Sequence, residues 1–306
     1  MMKHIVLLLL SISWVFGFDY RLKPLKITEG IYCFFGATEE VSQTNGGNMV
    51  NSCFVKTSQG FVIVDSGPTH QYAAQAFEQM QKIAKLPVKF VINTHDHDDH
   101  WLGNSFYKER GALLIGSRTY EQNVTPTMHT RMLRAVGKEI YKGTKIVKLD
   151  KVVKDDYNFT LGGLTFEIKQ LVPQAHTKGD LILYVPEKKT LFAGDELFYD
   201  RITSLRDGSV IGSLKALDRI DAMGADFVIA GHGYATDANA TKDFREYLTT
   251  LKEQVLDALD HDVPLSEIVQ KVPMDKYKDY KLYDVLHSRN VYDAYIELEM
   301  YDEDEE

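Results

Sequence analysis

Four side chains of metal-ligand type fall within one short stretch of this sequence: His95, His97, Asp99 and His100, in the pattern H-x-H-x-D-H. Their spacing has a chemical meaning. On extended backbone His95 and His97, two residues apart, can point the same way. Asp99 and His100 are neighbours on a turn and can point apart. One loop can thus offer two imidazoles to one metal ion, and a carboxylate with an imidazole to a second. Such donors suit zinc. The bland alternative is a polar surface loop that is His-rich by chance. It is weakened by donors further along: His176 in Ala-His-Thr-Lys-Gly-Asp, Asp195 in Leu-Phe-Ala-Gly-Asp-Glu-Leu-Phe, and His232 in Val-Ile-Ala-Gly-His-Gly, each after a strand-like apolar run.

The elements that must position these groups surround them. The run Val88–Ile92 reads as a buried strand. Asp98 and Asp99 place acids in the first turn of a helix reaching to about residue 110. The ligand loop therefore lies at the carboxyl end of a strand, a usual place for a site in α/β sheets. Further strands are predicted over 31–35, 52–56, 61–64, 112–115, 146–148, 157–161, 164–171, 181–185, 190–193 and 227–230, and helices over 72–84 and 211–223. Residues 18–26 read as a polar lead-in, and Thr44-Asn45-Gly46-Gly47-Asn48 as a flexible turn. Arg118, His129, Arg131 and Arg134 fall on a helical stretch that reads as a solvated basic face rather than a border of the site. After residue 232 the chain turns helical and charged. Phe244, Leu248, Leu251, Val255 and Leu259 recur at three- and four-residue intervals, an amphipathic pattern ended by Pro264. Two shorter helices and another over 291–300 are expected after it.

With 306 residues and 44% hydrophobic content, the chain can bury a real core. Its net charge of −9 disfavours a phosphate-backbone partner, so no nucleic acid is expected and the substrate is read as a small molecule. No Gly-x-Ser-x-Gly sequence signals a serine nucleophile. Lys3 and the apolar run to Phe16 read as a secretory signal peptide over 1–17, too short to span a bilayer comfortably. A periplasmic or secreted protein with no stable membrane span after cleavage is the expectation.

Taken in order, the seven donors resemble the ligand set of the metallo-β-lactamase superfamily, over roughly residues 27–241. The resemblance implies an α/β protein with the αββα sandwich: a catalytic domain over 18–241, a C-terminal helical extension over 242–300 and an acidic, disordered tail over 301–306. It implies that His95, His97 and His176 hold one metal, that Asp99, His100 and His232 hold another, and that Asp195 bridges them. Two zinc ions per chain are expected, with iron or manganese as alternatives. A metal-bound hydroxide, oriented by Asp99, would attack a small ester, thioester, lactone or lactam. Asp65 is expected to brace the ligand loop, with Thr94 beside it. The 37–50 loop would hang over the site, with Asn48 a candidate substrate contact. Arg201 is a candidate anion contact, with a surface salt bridge as its equal alternative.

Two positions narrow the class. His97 stands where flavodiiron proteins carry Glu, which favours a zinc hydrolase. Asp195 stands where true metallo-β-lactamases carry Cys or Ser, so the chain looks more like glyoxalase II and the lactonases. The segments Asn45-Gly46-Gly47-Asn48 and Gly194-Asp195-Glu196-Leu197-Phe198, with Arg201 and Asp207-Gly208, are similar to exported metallohydrolases linked to quinoprotein relays and sulfur oxidation. The alternatives are a β-lactamase proper, a mononuclear iron oxidoreductase of the persulfide dioxygenase type, and a non-catalytic metal-binding partner of a redox relay. By the same resemblance Cys33 and Cys53 lie on consecutive antiparallel strands. Export permits a disulfide, but two separately buried thiols are the expected arrangement. The C-terminal helices are expected to pack on the core, wall the site or support an oligomer.

Overall fold

Alternation along the strands decides how the layers stack. In the strand Phe61–Val64, Phe61 and Ile63 face one hydrophobic cluster while Val62 and Val64 face another. In the strand Phe227–His232, Val228 and Ala230 face outward helices while Ile229 faces the opposite sheet. Side chains alternate across a strand, so a strand apolar on both faces must be covered on both. Each buried Val, Ile or Phe contributes roughly 1.5–3 kcal/mol.

The computed structural model describes residues 17–301. The segments expected to be a signal peptide, apart from Gly17, and an acidic tail, apart from Tyr301, lie outside the described residues. The first half contains β1 (Leu25–Thr28), β2 (Ile31–Phe34), β3 (Ser52–Lys56), β4 (Phe61–Val64), α1 (His70–Ile83), β5 (Val88–Ile92), α2 (Asp98–Trp101), α3 (Asn104–Lys108), β6 (Leu113–Ser117), α4 (Arg118–Asn123), α5 (Arg131–Tyr141) and β7 (Lys151–Val153). The second contains β8 (Tyr157–Leu161), β9 (Leu164–Lys169), β10 (Ile182–Val185), β11 (Thr190–Phe198), α6 (Val210–Ala222), β12 (Phe227–His232), α7 (Thr241–Asp260), α8 (Ile268–Lys271) and α9 (Tyr283–Leu298). Strands β1 to β7 form one sheet in chain order, and the other runs β12-β11-β10-β9-β8. Their inner faces meet through Val55, Val62, Ile92, Phe166, Leu183, Phe192 and Ile229. Helices α1 and α3 cover the outside of the first sheet, and α6, α7 and α9 the outside of the second. The result is the expected αββα sandwich. The apolar stripe of α7, including Phe244, Leu248, Leu251 and Val255, shares one buried cluster with Leu191 and Val228 of the second sheet. No helix among the described residues is long and apolar enough to cross a membrane.

Several expectations need correction. Cys33 and Cys53 are bridged rather than separate thiols. Antiparallel pairing of β2 with β3 sets them directly opposite, with Cα atoms 4.0 Å apart. The lead-in is not merely polar: Tyr20 and Leu22 are buried, and the Tyr20 hydroxyl lies 2.9 Å from the Gly46 carbonyl and 2.8 Å from Thr69 Oγ1. The helix expected up to residue 110 is split into α2 and α3, where the Gly103 N–H turns to the Gly67 carbonyl. No strand covers 146–148. The Asp150 carboxylate accepts from the Leu114 N–H there, and pairing with β6 starts only at Lys151.

Candidate metal centre

The ligand residues converge from the turn after β5, the loop after β9, the middle of β11 and the end of β12. His95 follows β5, and His97 to His100 form the turn into α2. His176 lies on the loop after β9, and His232 is the last residue of β12. Asp195 lies inside β11 instead of closing it, because the strand runs on to Phe198. Its neighbours make room for it. Gly194 has φ +54°, and a Cβ there would sit 2.7 Å from the Thr94 side chain. A Cβ on Gly231 would sit 2.0 Å from Asp195 Oδ1. These two glycines let β11 and β12 close on the ligand loop.

The seven donors fall into two groups: His95, His97, His176 and Asp195, and Asp99, His100 and His232. Within each group the donor atoms lie within 4.8 Å of one another. In the first, His176 Nε2 is 2.9 Å from His97 Nδ1 and 3.3 Å from Asp195 Oδ2. In the second, His100 Nε2 and His232 Nε2 face each other at 3.3 Å, and Asp99 Oδ2 is 3.4 Å from His232 Nε2. Asp195 joins them, with Oδ1 3.3 Å from His100 Nε2 and Oδ2 3.3 Å from His232 Nε2.

Outward hydrogen bonds fix which ring nitrogen faces the cluster. His100 Nδ1 lies 2.8 Å from Asp65 Oδ2 and His232 Nδ1 lies 2.8 Å from the Met49 carbonyl, so Nε2 of each is left to ligate. His95 Nδ1 meets Thr94 Oγ1 at 3.0 Å, while Thr94 donates its N–H and hydroxyl to the two Asp65 oxygens, each at 2.9 Å. One buried carboxylate thus contacts two of these rings, His100 directly and His95 through Thr94. His97 is turned the other way: Nε2 meets Asp207 Oδ2 at 3.1 Å, which frees Nδ1.

The cluster fits metal ions on its own chemistry. His95 Nε2 and Asp195 Oδ1 are buried with no hydrogen-bond partner. Burial pushes the His176 imidazole down to about 3, and burial with the neighbouring His100 holds His95 well below its usual range, so both are neutral donors. Burial also opposes charge on His100, yet Asp195, Asp65 and Asp99 outweigh it and hold that ring well above its usual range. Burial would raise Asp99, but Arg131, His100 and His232 hold it well below the carboxylate range. The acids in this cluster call for positive charge that bound cations supply.

A cavity of about 240 Å³ opens above the donors, lined in part by Met49, His129, Arg131, Phe198, Arg201 and Arg206. Arg131 is therefore not on a free basic face; it bonds Asp98 Oδ1 at 3.1 Å and Asp99 Oδ1 at 2.8 Å. Arg201 lines the cavity, as an anion contact would. Asn48 is not among its lining residues and lies instead against a separate cleft with Tyr20 and Arg21; the 37–50 loop contributes Met49. Sequence reasoning did not assign Asp207 as the partner of His97 or the Met49 carbonyl as the partner of His232. Asp207 stood within the Asp207-Gly208 segment singled out above, whereas a carbonyl leaves no mark in side-chain types.

The sequence model of the Metallo-beta-lactamase superfamily matches residues 45–232. Hydroxyacylglutathione hydrolase of Brucella anthropi is 30% identical over 169 residues, 55% of each chain. That of Brucella ovis is 30% identical over 168 residues, 55% of this chain and 56% of its own. The chain therefore spans about half the length of the curated relatives it matches. Among solved structures, a metallo-beta-lactamase from Pontibacter korlensis has a TM-score of 0.60 at 21% identity, covering 74% of this chain and 99% of its own. A stereoselective inverting sec-alkylsulfatase from Pseudomonas sp. has a TM-score of 0.65 at 17% identity, covering 93% of this chain and 51% of its own. At these identities the structural matches speak for the fold alone. Matched over more than half its length by the family's sequence model, this chain belongs to the metallo-beta-lactamase superfamily.

Proposed function

We propose that the chain is an exported, zinc-dependent hydrolase with two metals per chain, acting on a small ester, thioester, lactone or lactam. The observation that carries this reading is the pair of donor groups joined by Asp195 beneath an open cavity. His95, His97 and His176 would hold one ion, Asp99, His100 and His232 the other, and Asp195 would bridge them. When bound, such ions polarise a substrate oxygen and lower the pKa of water to about 7. The protein's own groups do the rest. Asp65 and Asp207 hold three imidazoles in orientation. Arg131 holds Asp99 through Oδ1 and keeps it ionised at the cavity wall, with Oδ2 turned toward His100 and His232. Met49 and Phe198 supply an apolar wall against which a small acyl group packs.

The relatives are named for hydrolysis of hydroxyacylglutathione, which supports keeping thioesters in the range. The net charge supports a small-molecule substrate rather than nucleic acid. Export rests on residues 1–17 and is supported by the Cys33–Cys53 disulfide, which persists in oxidising compartments. The test is purified protein, loaded with zinc or iron in parallel and assayed against chromogenic esters, thioesters, lactones and cephalosporins. Turnover by the zinc form is expected; activity confined to an iron form with oxygen consumption would replace this reading with the oxidoreductase one.

A further inference from the structure

Asp207, which meets His97, lies on the connection between β11 and α6, and α9 holds that connection on both sides of it. On one side buried Asn290 accepts from the Leu205 N–H at 3.0 Å and donates to the Thr203 carbonyl at 2.9 Å. On the other, the Glu297 carboxylate accepts from the Ser209 hydroxyl and from the N–H groups of Val210 and Ile211, at 2.7 and 3.3 Å. Those N–H groups open α6 and have no partner within the helix, and a carboxylate is favoured at such an end. Ser209 also caps α6 by accepting from the Gly212 N–H at 2.8 Å. Asn290 and Glu297 are about two helical turns apart and so share one face of α9.

The same connection lies against the loop that carries His176. The Ser209 N–H donates to the Ala175 carbonyl at 2.8 Å, and Gln174 Nε2 donates to the carbonyls of Asp207 and Gly208 at 3.1 and 3.0 Å. The approach is close: a Cβ on Gly208 would sit 2.6 Å from the Ala175 carbonyl oxygen, and one on Gly212 would sit 1.8 Å from that of Gln174. His176 Nδ1 is buried without a hydrogen-bond partner among the described residues, so this backbone aims the ring, not a side chain behind it. The other donor group has different supports, namely Asp65, Arg131 and the Met49 carbonyl, none of them on this connection.

We propose that Asn290 and Glu297 are positioning residues for the ion held by His95, His97 and His176. By fixing the 203–211 connection from α9, they set Asp207 against His97 and the backbone beside His176. The C-terminal extension then tunes one metal position and leaves the other alone. The inference rests on the metal-centre reading, but not on the substrate or on turnover.

The test is the zinc affinity of the full chain, read by competition with a chromophoric chelator. Wild type is compared with Glu297→Ala, Glu297→Gln, Asn290→Ala and Leu298→Ala. Leu298 is a buried apolar residue of the same helix, so Leu298→Ala loosens α9 without removing a bond to the connection. Glu297→Ala should weaken one of two ions about 10-fold and leave the other unchanged, with a smaller loss in Glu297→Gln, which keeps one acceptor oxygen. Leu298→Ala, at an equal or larger loss of melting temperature, should leave both affinities unchanged. In the Asp207→Asn background, Glu297→Ala should cost clearly less than in wild type, because both changes act on His97. Asn290→Ala should behave like Glu297→Ala; if it fails to fold, Glu297→Ala still decides. If wild type holds only one ion, the two-metal reading fails, while the coupling of Glu297 to Asp207 is read on that ion. No change in Glu297→Ala, an equal loss in Leu298→Ala, or full additivity with Asp207→Asn overturns the proposal.

Discussion

The two halves of the metal centre are built in different ways. The half on the first sheet is local: His95, His97, Asp99 and His100 lie on the turn after β5 and in α2, and one carboxylate, Asp65, steadies two of the rings. The half on the second sheet is assembled from afar. His176, Asp195 and His232 come from separate segments, and His232 is fixed by the Met49 carbonyl across the sandwich. Asn51 reinforces that crossing, with its Nδ2 giving bonds to the carbonyls of Ala230 and Gly233 at 2.9 and 2.6 Å. A local turn keeps its geometry through short-range bonds. A dispersed set depends on the sheets staying packed, and so on the helices behind them.

The sharpest way to break this comparison is to remove the support of the dispersed half. Truncation after Thr241 deletes α7 and α9, whose buried side chains, at roughly 1.5–3 kcal/mol apiece, together outweigh a typical net stability of about 5–15 kcal/mol. The truncated chain should be insoluble or lack a cooperative melt; a folded, unchanged melt would show the extension to be a loose tether. The local half is tested by Asp65→Asn, which loosens His95 and His100 together. Metal affinity should fall toward the ~100-fold end of the range for outer partners, read by competition with a chelator. Asp207→Asn affects one donor ring, His97, and Asp207 is more exposed, so its loss should lie nearer ~10-fold. A larger effect at Asp207 would reverse the order claimed here.

The disulfide gives a stability test separate from the metals. A bridge between residues 20 apart is worth about 3 kcal/mol by restriction of the unfolded chain. The Cys33→Ser/Cys53→Ser pair should shift the urea midpoint accordingly while keeping its full metal content. Loss of metal instead would mean that the β2–β3 hairpin controls Met49 and His232 more tightly than its other bonds suggest.

The same contrast explains what was legible in the sequence. The ligand loop, the strand before it and the helical stripe of α7 all follow from local periodicity and residue type, which need no knowledge of partners. What escaped depends on pairing across the chain. Cys33 and Cys53 are bonded because β2 and β3 pair in one register and no other, and register is not written in either strand alone. Arg131 read as a solvated base because its partners, Asp98 and Asp99, lie more than thirty residues away. The split between α2 and α3 comes from a bond to Gly67, which no helical pattern records.

Everything proposed for the site turns on Asp195 as the link between the two donor groups. Elemental analysis of zinc-reconstituted wild type and Asp195→Asn tests it most directly. The neutral amide keeps the size of the side chain but weakens the bond to each ion. The account predicts about two zinc ions per wild-type chain and clearly fewer in Asp195→Asn, with both proteins folded. Two tightly held ions in Asp195→Asn, or no more than one in wild type, would contradict it.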